Sequence, residues 1–214
     1  MSQLLRVHNF LLSADGYGSG VGQSLEHPFG HANPADLGAW AFAAESWPNR
    51  TDGGGTRGLD DYFVRDFHRN IGAEIMGRNK FGYQRGPWEN LDWKGWWGDN
   101  PPFHTPVFVL THHLRPSFSL SDTTFHFIEA TPAEALRQAK VAANGKDVRL
   151  GGGVAVVREF LDADLVDTMH VAVAPLNLGD GEQLWNSPDD LLDRFHRDTV
   201  VSPSGVTHHI FWRR

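Results

Sequence analysis

A run of three glycines is the first feature of the sequence that could bind a ligand. Gly151, Gly152 and Gly153 follow a short apolar segment and precede a stretch with helical spacing that begins at Val154. Glycines let a phosphate approach the backbone, and a helix N-terminus offers free N–H groups at its positive dipole end. A plain glycine turn between a strand and a helix is the alternative interpretation. The run does not fit the dinucleotide fingerprint G-x-G-x-x-G, because Val156 stands at the position of the last glycine.

A second candidate group follows another predicted strand, at residues 73–76. There the chain continues with Gly77, Arg78 and Asn79. Ligands of open α/β sheets bind at the carboxyl ends of the strands, and an arginine at such an end can pair with a phosphate through two hydrogen bonds. A surface arginine at a strand exit is the alternative.

The third candidate group follows a predicted strand at 106–111. Its hydroxyl and basic side chains, Thr111, His112 and Arg115, suit a phosphomonoester such as the 2′-phosphate of NADPH, and a polar loop is the alternative. A zinc site needs several convergent ligands. The adjacent side chains of His112 and His113 point to opposite faces of an extended chain, so we predict no metal site.

Segments with the patterns of strands and helices alternate along most of the chain. This alternation is typical of an α/β fold with a mainly parallel sheet. No helix separates the last two predicted strands, so we expect these to be antiparallel at the edge of the sheet. Predicted strands lie at 4–12, 73–76, 106–111, 125–129, 147–150, 165–174 and 206–212, and predicted helices at 35–47, 59–70, 132–143 and 154–161.

Residues 82–105 have neither pattern. They contain four tryptophans, three prolines and four glycines, which predicts an ordered aromatic loop inserted between two strands. The loop could wall a pocket in which a planar substrate stacks. The alternative is a surface loop that its own aromatic residues hold down.

Composition limits the class of protein. The 214 residues suit one domain, residues 1–214, and 40% of them are hydrophobic. The chain has no cysteine, which excludes disulfides, thiolate metal sites and cysteine nucleophiles. Its net charge of −7 argues against a nucleic-acid partner. No apolar run is long enough for a membrane helix, and the N-terminus is too polar for a signal peptide, so we expect a cytoplasmic protein.

Taken in order, the segments resemble the dihydrofolate reductase superfamily. Within it, the chain is most similar to the branch of reductase domains like the C-terminal domain of the bifunctional riboflavin-biosynthesis deaminase-reductase. The resemblance implies a three-layer α/β fold, a mostly parallel sheet with an antiparallel C-terminal edge strand, and an NADPH cofactor. It rests on Ser13-Ala14-Asp15-Gly16, Met76-Gly77-Arg78 with Phe81, Thr111-His112-His113, Gly151-Gly152-Gly153, Leu165-Val166-Asp167 and residues 175–181.

The resemblance also implies roles for single residues. The loop from Ser13 to Gly18 would close over the nicotinamide. We predict separately that Asp15 makes a polar contact to the substrate. The cofactor phosphates would lie against the three candidate groups. The pyrophosphate would contact the glycine run, Val154, Gly77, Arg78 and Asn79. The 2′-phosphate would contact Thr111, His112 and Arg115.

The sequence departs from folate reductases at two places. The carboxylate that those enzymes carry after the first loop is not recognisable, since Asp36, Asp60 and Asp61 lie outside the expected motif. Lys80 stands where threonine is frequent. We therefore expect hydride transfer to a small heterocyclic or sugar-derived substrate. The alternatives are reduction of 5-amino-6-(5-phosphoribosylamino)uracil, as in riboflavin synthesis, and a non-catalytic nucleotide-binding protein on the same fold.

The last two predicted strands also bear on assembly. Residues 165–174 and 206–212 are long and apolar for the edge of a sheet, and an exposed apolar edge invites association. They predict a homodimer. In the alternative, a loop formed by residues 176–205 covers the edge and the protein is monomeric.

Overall fold

The computed structural model describes residues 3–48, 50 and 53–214, and these form two compact units. The first unit contains residues 3–7, 23–28 and 70–167, and the second contains residues 8–22, 29–69 and 168–214. In chain order the elements are β1 (Leu5–Ser13), β2 (Tyr17–Ser19), α1 (Pro34–Leu37), α2 (Ala39–Phe42), α3 (Leu59–Arg65), β3 (Ile71–Gly77), α4 (Arg78–Phe81), β4 (Pro106–Leu110), β5 (Phe118–Leu120), β6 (Thr123–Ile128), α5 (Pro132–Ala142), β7 (Asp147–Leu150), α6 (Val154–Asp162), β8 (Thr168–Ala174), β9 (Glu182–Gln183), β10 (Phe195–Val201) and β11 (Thr207–Arg213).

The first unit contains the parallel part of the sheet. Its strands lie in the order β1-β7-β3-β4-β6-β5, and every neighbouring pair is parallel except β5 with β6. Helix α5 packs against β3, β4 and β7, and α6 packs against β3. The mainly parallel α/β sheet predicted from the alternating pattern is therefore confirmed.

The second unit contains the antiparallel strands. Its strands lie in the order β10-β11-β8-β1, with β11 antiparallel to both β10 and β8, and a separate pair joins β2 to β9. The predicted antiparallel neighbours at 165–174 and 206–212 are confirmed. They are not the edge of the sheet, however, because β10 covers β11 along its length. Strand β10 was not predicted from the sequence, where residues 176–205 were expected to form a loop if they cover the edge. In the structure Phe195 is its only fully buried residue.

The predicted helices differ in how well their ends are specified. Helix α5 begins where expected, because the Thr131 hydroxyl accepts a hydrogen bond from the Glu134 N–H at 3.3 Å and Pro132 occupies its first turn. The single helix predicted at 35–47 is two short helices that divide at Gly38. The helix predicted at 59–70 is α-helical only to Arg65 and continues as a 3-10 turn.

Within the described ranges, no helix is long and apolar enough to cross a membrane.

The core of the first unit is aromatic. Phe81, Phe103 and Phe125 are buried at its centre, and tryptophans from residues 82–105 pack against them. Residues 82–105 form no helix or strand, as predicted. The indole N–H groups of Trp93 and Trp96 donate to the carbonyls of residues 81 and 80, at 2.9 and 2.8 Å. The tryptophans thus hold the loop against the core, as the second interpretation of this segment expects.

Candidate functional site

The glycine segment, residues 151–153, lies beside the carboxyl end of β3. The Gly151 N–H donates to the Ile75 carbonyl at 2.8 Å, and the Gly152 carbonyl accepts from the Gly77 N–H at 2.9 Å. Helix α6 starts at Val154, and its N-cap, Gly153, has no side chain to satisfy the first N–H groups. The first turn of this nine-residue helix therefore offers backbone donors next to Gly77.

Two of the three glycines are required by their surroundings. Gly152 has a φ of +100°, a conformation that other residues rarely adopt. A Cβ on Gly151 would lie 2.1 Å from Oε1 of Glu74. A Cβ on Gly153 would meet no atom within 4 Å. The space next to Gly153 is therefore open, as a cradle for a phosphate requires.

Arg78 contributes an unpaired cation to the same region. It follows Gly77 directly, and its guanidinium stacks on the ring of Trp88 at 4.0 Å from the centroid. Its Nε and Nη2 atoms are buried and have no hydrogen-bond partner. Burial lowers the pKa of Arg78, as does the charge of Arg85. Because a buried donor without a partner is costly, an anion that accepts from these nitrogens would stabilise the site.

The remaining members of the predicted pyrophosphate group lie on the same elements. Asn79 is partly buried on α4, and Val154 is the buried first residue of α6. Their backbone positions next to Arg78 and Gly153 are compatible with the predicted contacts, which stay predictions.

Three charged residues beneath the glycine segment were not assigned a role by the sequence analysis. Glu74 and Arg149 are each 1% exposed, and a nitrogen of Arg149 donates to Oε2 of Glu74 at 2.5 Å. The ammonium of Lys80 donates to the Gly151 carbonyl at 2.5 Å. A charged residue inside each of the apolar strands 73–76 and 147–150 was the signal that could have indicated this cluster.

The three residues predicted to hold a 2′-phosphate have separate environments. The Thr111 hydroxyl donates to the carbonyl of His113 and accepts from its N–H, both at 3.1 Å. The side chain of His112 is 91% exposed and lies 3.1 Å from Glu129, whose carboxylate would repel a phosphate. The structure thus gives Thr111 and His112 other partners, and their role at a phosphate stays a prediction.

Arg115 points into the aromatic core instead of toward solvent. Its two terminal nitrogens donate to the carbonyls of Leu91 and Trp93, at 2.5 and 3.1 Å. The rings around its guanidinium are Phe81, Trp88, Phe118 and Phe127, at 5.0–5.8 Å. Only Nε lacks a partner, and it is buried. This environment indicates that Arg115 anchors the aromatic loop.

In the second unit, the carboxylate of Asp15 links the turn after β1 to residues 178 and 179. Its carboxylate accepts hydrogen bonds from the Ser13 hydroxyl at 2.5 Å and from the N–H groups of Leu178 and Gly179 at 3.1 and 2.7 Å. Burial raises the pKa of Asp15, but these hydrogen bonds outweigh it and lower the pKa overall. Asp15 is therefore ionised near neutral pH and unsuited to donate a proton, and its predicted contact with the substrate stays a prediction.

A chain of buried histidines lies between α3 and the strands of the second unit. Nδ1 of His170 lies 2.8 Å from Oδ1 of Asn9, and its Nε2 lies 3.0 Å from Nδ1 of His208. Nε2 of His208 lies 2.8 Å from a carboxylate oxygen of Asp60. Phe63 stacks on both imidazoles. The described residues contain no group of side chains suited to a metal ion, so the cluster is better explained as a packed polar network.

Buried histidines of the second unit should make the stability of the protein depend on pH. Burial lowers the pKa of His170, and it lowers that of His209 to about 4 with help from Arg197. The unfolded chain, with a histidine pKa of about 6.5, then binds protons that the folded chain does not. The free energy of unfolding therefore has its full value above about pH 6.5 and falls as the pH is lowered. We expect the free energy of unfolding by urea to drop from pH 7 to pH 5, by up to about 1.4 kcal/mol per pH unit for each histidine.

The His209→Gln variant should show a shallower pH dependence between pH 7 and pH 5. The exposed His112 is the matched control, and His112→Gln should leave the slope as in the wild type. Equal slopes in all three proteins would contradict the role of buried histidines.

Comparisons with known proteins agree with this architecture. The family model of the RibD C-terminal domain matches residues 7–196. Among solved structures, a protein from Shewanella sp. PV-4 assigned to riboflavin biosynthesis is 18% identical with a TM-score of 0.57, and the match covers 100% of this chain and 99% of that one. A pyrimidine reductase-like protein from Corynebacterium diphtheriae is 12% identical with a TM-score of 0.54, over 99% and 92% of the two chains. At these identities the structures show the shared fold. No curated protein matches the chain.

Proposed function

Because the chain belongs to the RibD C-terminal domain family, we propose that it is a reductase that binds NADPH on the glycine segment and Arg78. The reaction would transfer a hydride to a C=N or C=O group of a small heterocyclic or sugar-derived substrate. The observation that carries the proposal is that Nε and Nη2 of Arg78 are buried without a hydrogen-bond partner. Arg78 follows Gly77, whose N–H donates to the Gly152 carbonyl just before the uncapped N-terminus of α6. Backbone donors and an unpaired cation at one strand end suit a pyrophosphate.

The residues of the site would bind and orient the reactants. The N–H groups at the start of α6 and the nitrogens of Arg78 would fix the pyrophosphate, and Trp88 would keep the guanidinium in place by stacking. NADPH would supply the hydride when bound. Proximity and exclusion of water then provide most of the rate enhancement. In this proposal the proton that completes the reduction comes from water, because Asp15 is ionised and fully hydrogen-bonded.

Reduction of 5-amino-6-(5-phosphoribosylamino)uracil is the second candidate reaction. The family match favours it, as does the assignment of the Shewanella protein to riboflavin biosynthesis. A nucleotide-binding protein without turnover is the third possibility on this fold.

Two measurements on the purified chain test the proposal. The first is calorimetric titration with NADPH, and the second is the loss of NADPH absorbance at 340 nm when a panel of acceptors is added. We expect saturable binding that Arg78→Met weakens about tenfold or more, since charge-assisted hydrogen bonds to phosphate are lost. The matched control is Arg137→Met, which removes an exposed arginine paired with Glu134 on α5. Oxidation with the uracil substrate would select the riboflavin-pathway reaction. Tight binding without turnover across the panel would indicate a binding protein, and no binding would contradict the proposal.

We also propose that the protein is a homodimer. The edge that was expected to drive association is covered by β10, so the contact has to involve the outer side of β10 itself, where Val201 is exposed, or another surface. Light scattering at micromolar concentration should give about twice the 23.9 kDa mass of one chain. A mass equal to that of one chain would contradict the dimer.

A further inference from the structure

Lys80 is fixed at both ends beneath the glycine segment. Its carbonyl accepts a hydrogen bond from the indole of Trp96 at 2.8 Å, and its ammonium donates to the Gly151 carbonyl at 2.5 Å. The side chain therefore links the helix that follows β3 to the glycine segment that follows β7. A lysine held in this way cannot move freely to solvent, and its charge stays under Gly151.

The charges around Lys80 do not cancel. Glu74 on β3 and Arg149 on β7 face it, and these two form an ion pair with each other. Oε1 of Glu74 has no hydrogen-bond partner and lies against Gly151. Glu74, Arg149 and Lys80 together carry two positive charges and one negative charge, so the cluster has one net positive charge below the glycine segment. Uncompensated charge in a poorly solvated place is costly, and an anion on the glycine segment would offset that cost.

We propose that Lys80 is a positioning residue of the cofactor site, which holds the Gly151 carbonyl and supplies a positive charge beneath the glycine segment that favours a bound pyrophosphate. This inference rests on the proposed function, because the pyrophosphate belongs to the proposed NADPH. Lys80 does not touch the cofactor in this scheme. It acts through Gly151 and through the electric field at the segment.

Proton uptake follows from the environment of the ammonium. Burial lowers the pKa of Lys80 to about 8, although Glu74 acts to raise it and Arg149 to lower it further. Near pH 8.5 a large fraction of the free protein therefore has a neutral Lys80. An anion placed nearby favours the charged form and raises the pKa of Lys80 again. The phosphates of NADPH do not exchange protons at this pH, because the pyrophosphate is fully ionised and the second pKa of the 2′-phosphate is about 6.

Calorimetric titration with NADPH at pH 8.5, in two buffers of different ionisation enthalpy, measures this coupling directly. The wild type should take up a fraction of a proton for each NADPH bound, and its Kd should rise above pH 8 by up to about tenfold per pH unit. Lys80→Gln keeps a donor for the Gly151 carbonyl but loses the charge. We expect it to bind NADPH about tenfold more weakly than the wild type at pH 7, with no proton uptake at pH 8.5.

Lys146→Gln is the matched control, because it removes an exposed lysine from the same unit. It should keep the wild-type Kd and proton uptake. The proton count of the wild type needs no variant, so it tests the inference even if Lys80→Gln fails to fold. NADPH binding without proton uptake at pH 8.5 would overturn the role of Lys80 and leave the proposed function intact. A wild type that shows no saturable NADPH binding would overturn the proposed function itself.

Discussion

Replacing Gly153 by aspartate should weaken NADPH binding strongly and leave the protein folded. Gly153 has a φ of −59°, and a Cβ there would meet no atom within 4 Å, so there is room for a side chain. Aspartate is a preferred N-cap, and it should stabilise α6 by a few tenths of a kcal/mol relative to glycine. The same carboxylate would occupy the place of the pyrophosphate and repel it. We expect the Kd for NADPH to rise by about 100-fold or more.

Calorimetry and thermal unfolding check the two halves of this prediction on one sample. Gly153→Ala is the matched control, since it adds a methyl group without charge and should lose much less NADPH affinity than Gly153→Asp. Gly152→Asp introduces the same charge at a position where φ is +100°, which strains a residue other than glycine. This variant should therefore lose stability as well as NADPH binding. Wild-type affinity in a folded Gly153→Asp protein would show that the glycine segment is not a phosphate site.

The parallel part of the fold could be predicted because its signals are local. Helix α5 is specified by Thr131, Pro132 and Glu134 within one turn, and the glycine segment marks where β7 ends and α6 begins. Strand β10 could not be predicted in the same way. After Phe195 none of its residues is buried, their exposure follows no strict alternation, and only its pairing with β11 identifies it as a strand. Pairing between strands is not visible in the pattern of either strand alone.

The candidate site shows the same division between local and long-range information. Arg78 and the residues at 151–153 could be proposed because each follows a predicted strand, and the structure brings them together through the Gly77–Gly152 hydrogen bond. The environment of Lys80 depends on Glu74, which precedes it by six residues, and on Arg149, far along the chain. Sequence reasoning identifies the ends of strands, but it does not identify which charged side chains share a buried space.

Arg115 is the clearest case in which the tertiary environment changes a prediction. A basic residue after a strand suggested a contact with the 2′-phosphate of NADPH. In the structure its terminal nitrogens hold the carbonyls of Leu91 and Trp93, inside a ring of aromatic side chains. Residues 82–105 supply both carbonyls and one of the rings, and no local pattern indicates that this loop folds over Arg115. The structure therefore leads us to expect an effect on stability.

We expect Arg115→Ala to lower the free energy of unfolding by about 3 kcal/mol or more, because two charge-assisted hydrogen bonds and the cation–π contacts are lost. For a chain of this size the melting temperature should fall by roughly 6–12 °C. Tryptophan emission should shift to longer wavelength as Trp88 and Trp93 become more exposed. Thermal unfolding followed by fluorescence measures both effects.

The matched control is Arg85→Ala, in the same loop. Arg85 is exposed, stacks on Tyr83 and donates to its hydroxyl, so its removal should change the melting temperature by no more than about 2 °C. NADPH and NADH titrations of Arg115→Ala separate the two roles of the arginine. A structural anchor should weaken the binding of both cofactors to a similar degree as the loop loosens. An unchanged melting temperature together with a loss confined to NADPH would instead place Arg115 at the 2′-phosphate, because only that group distinguishes the two cofactors.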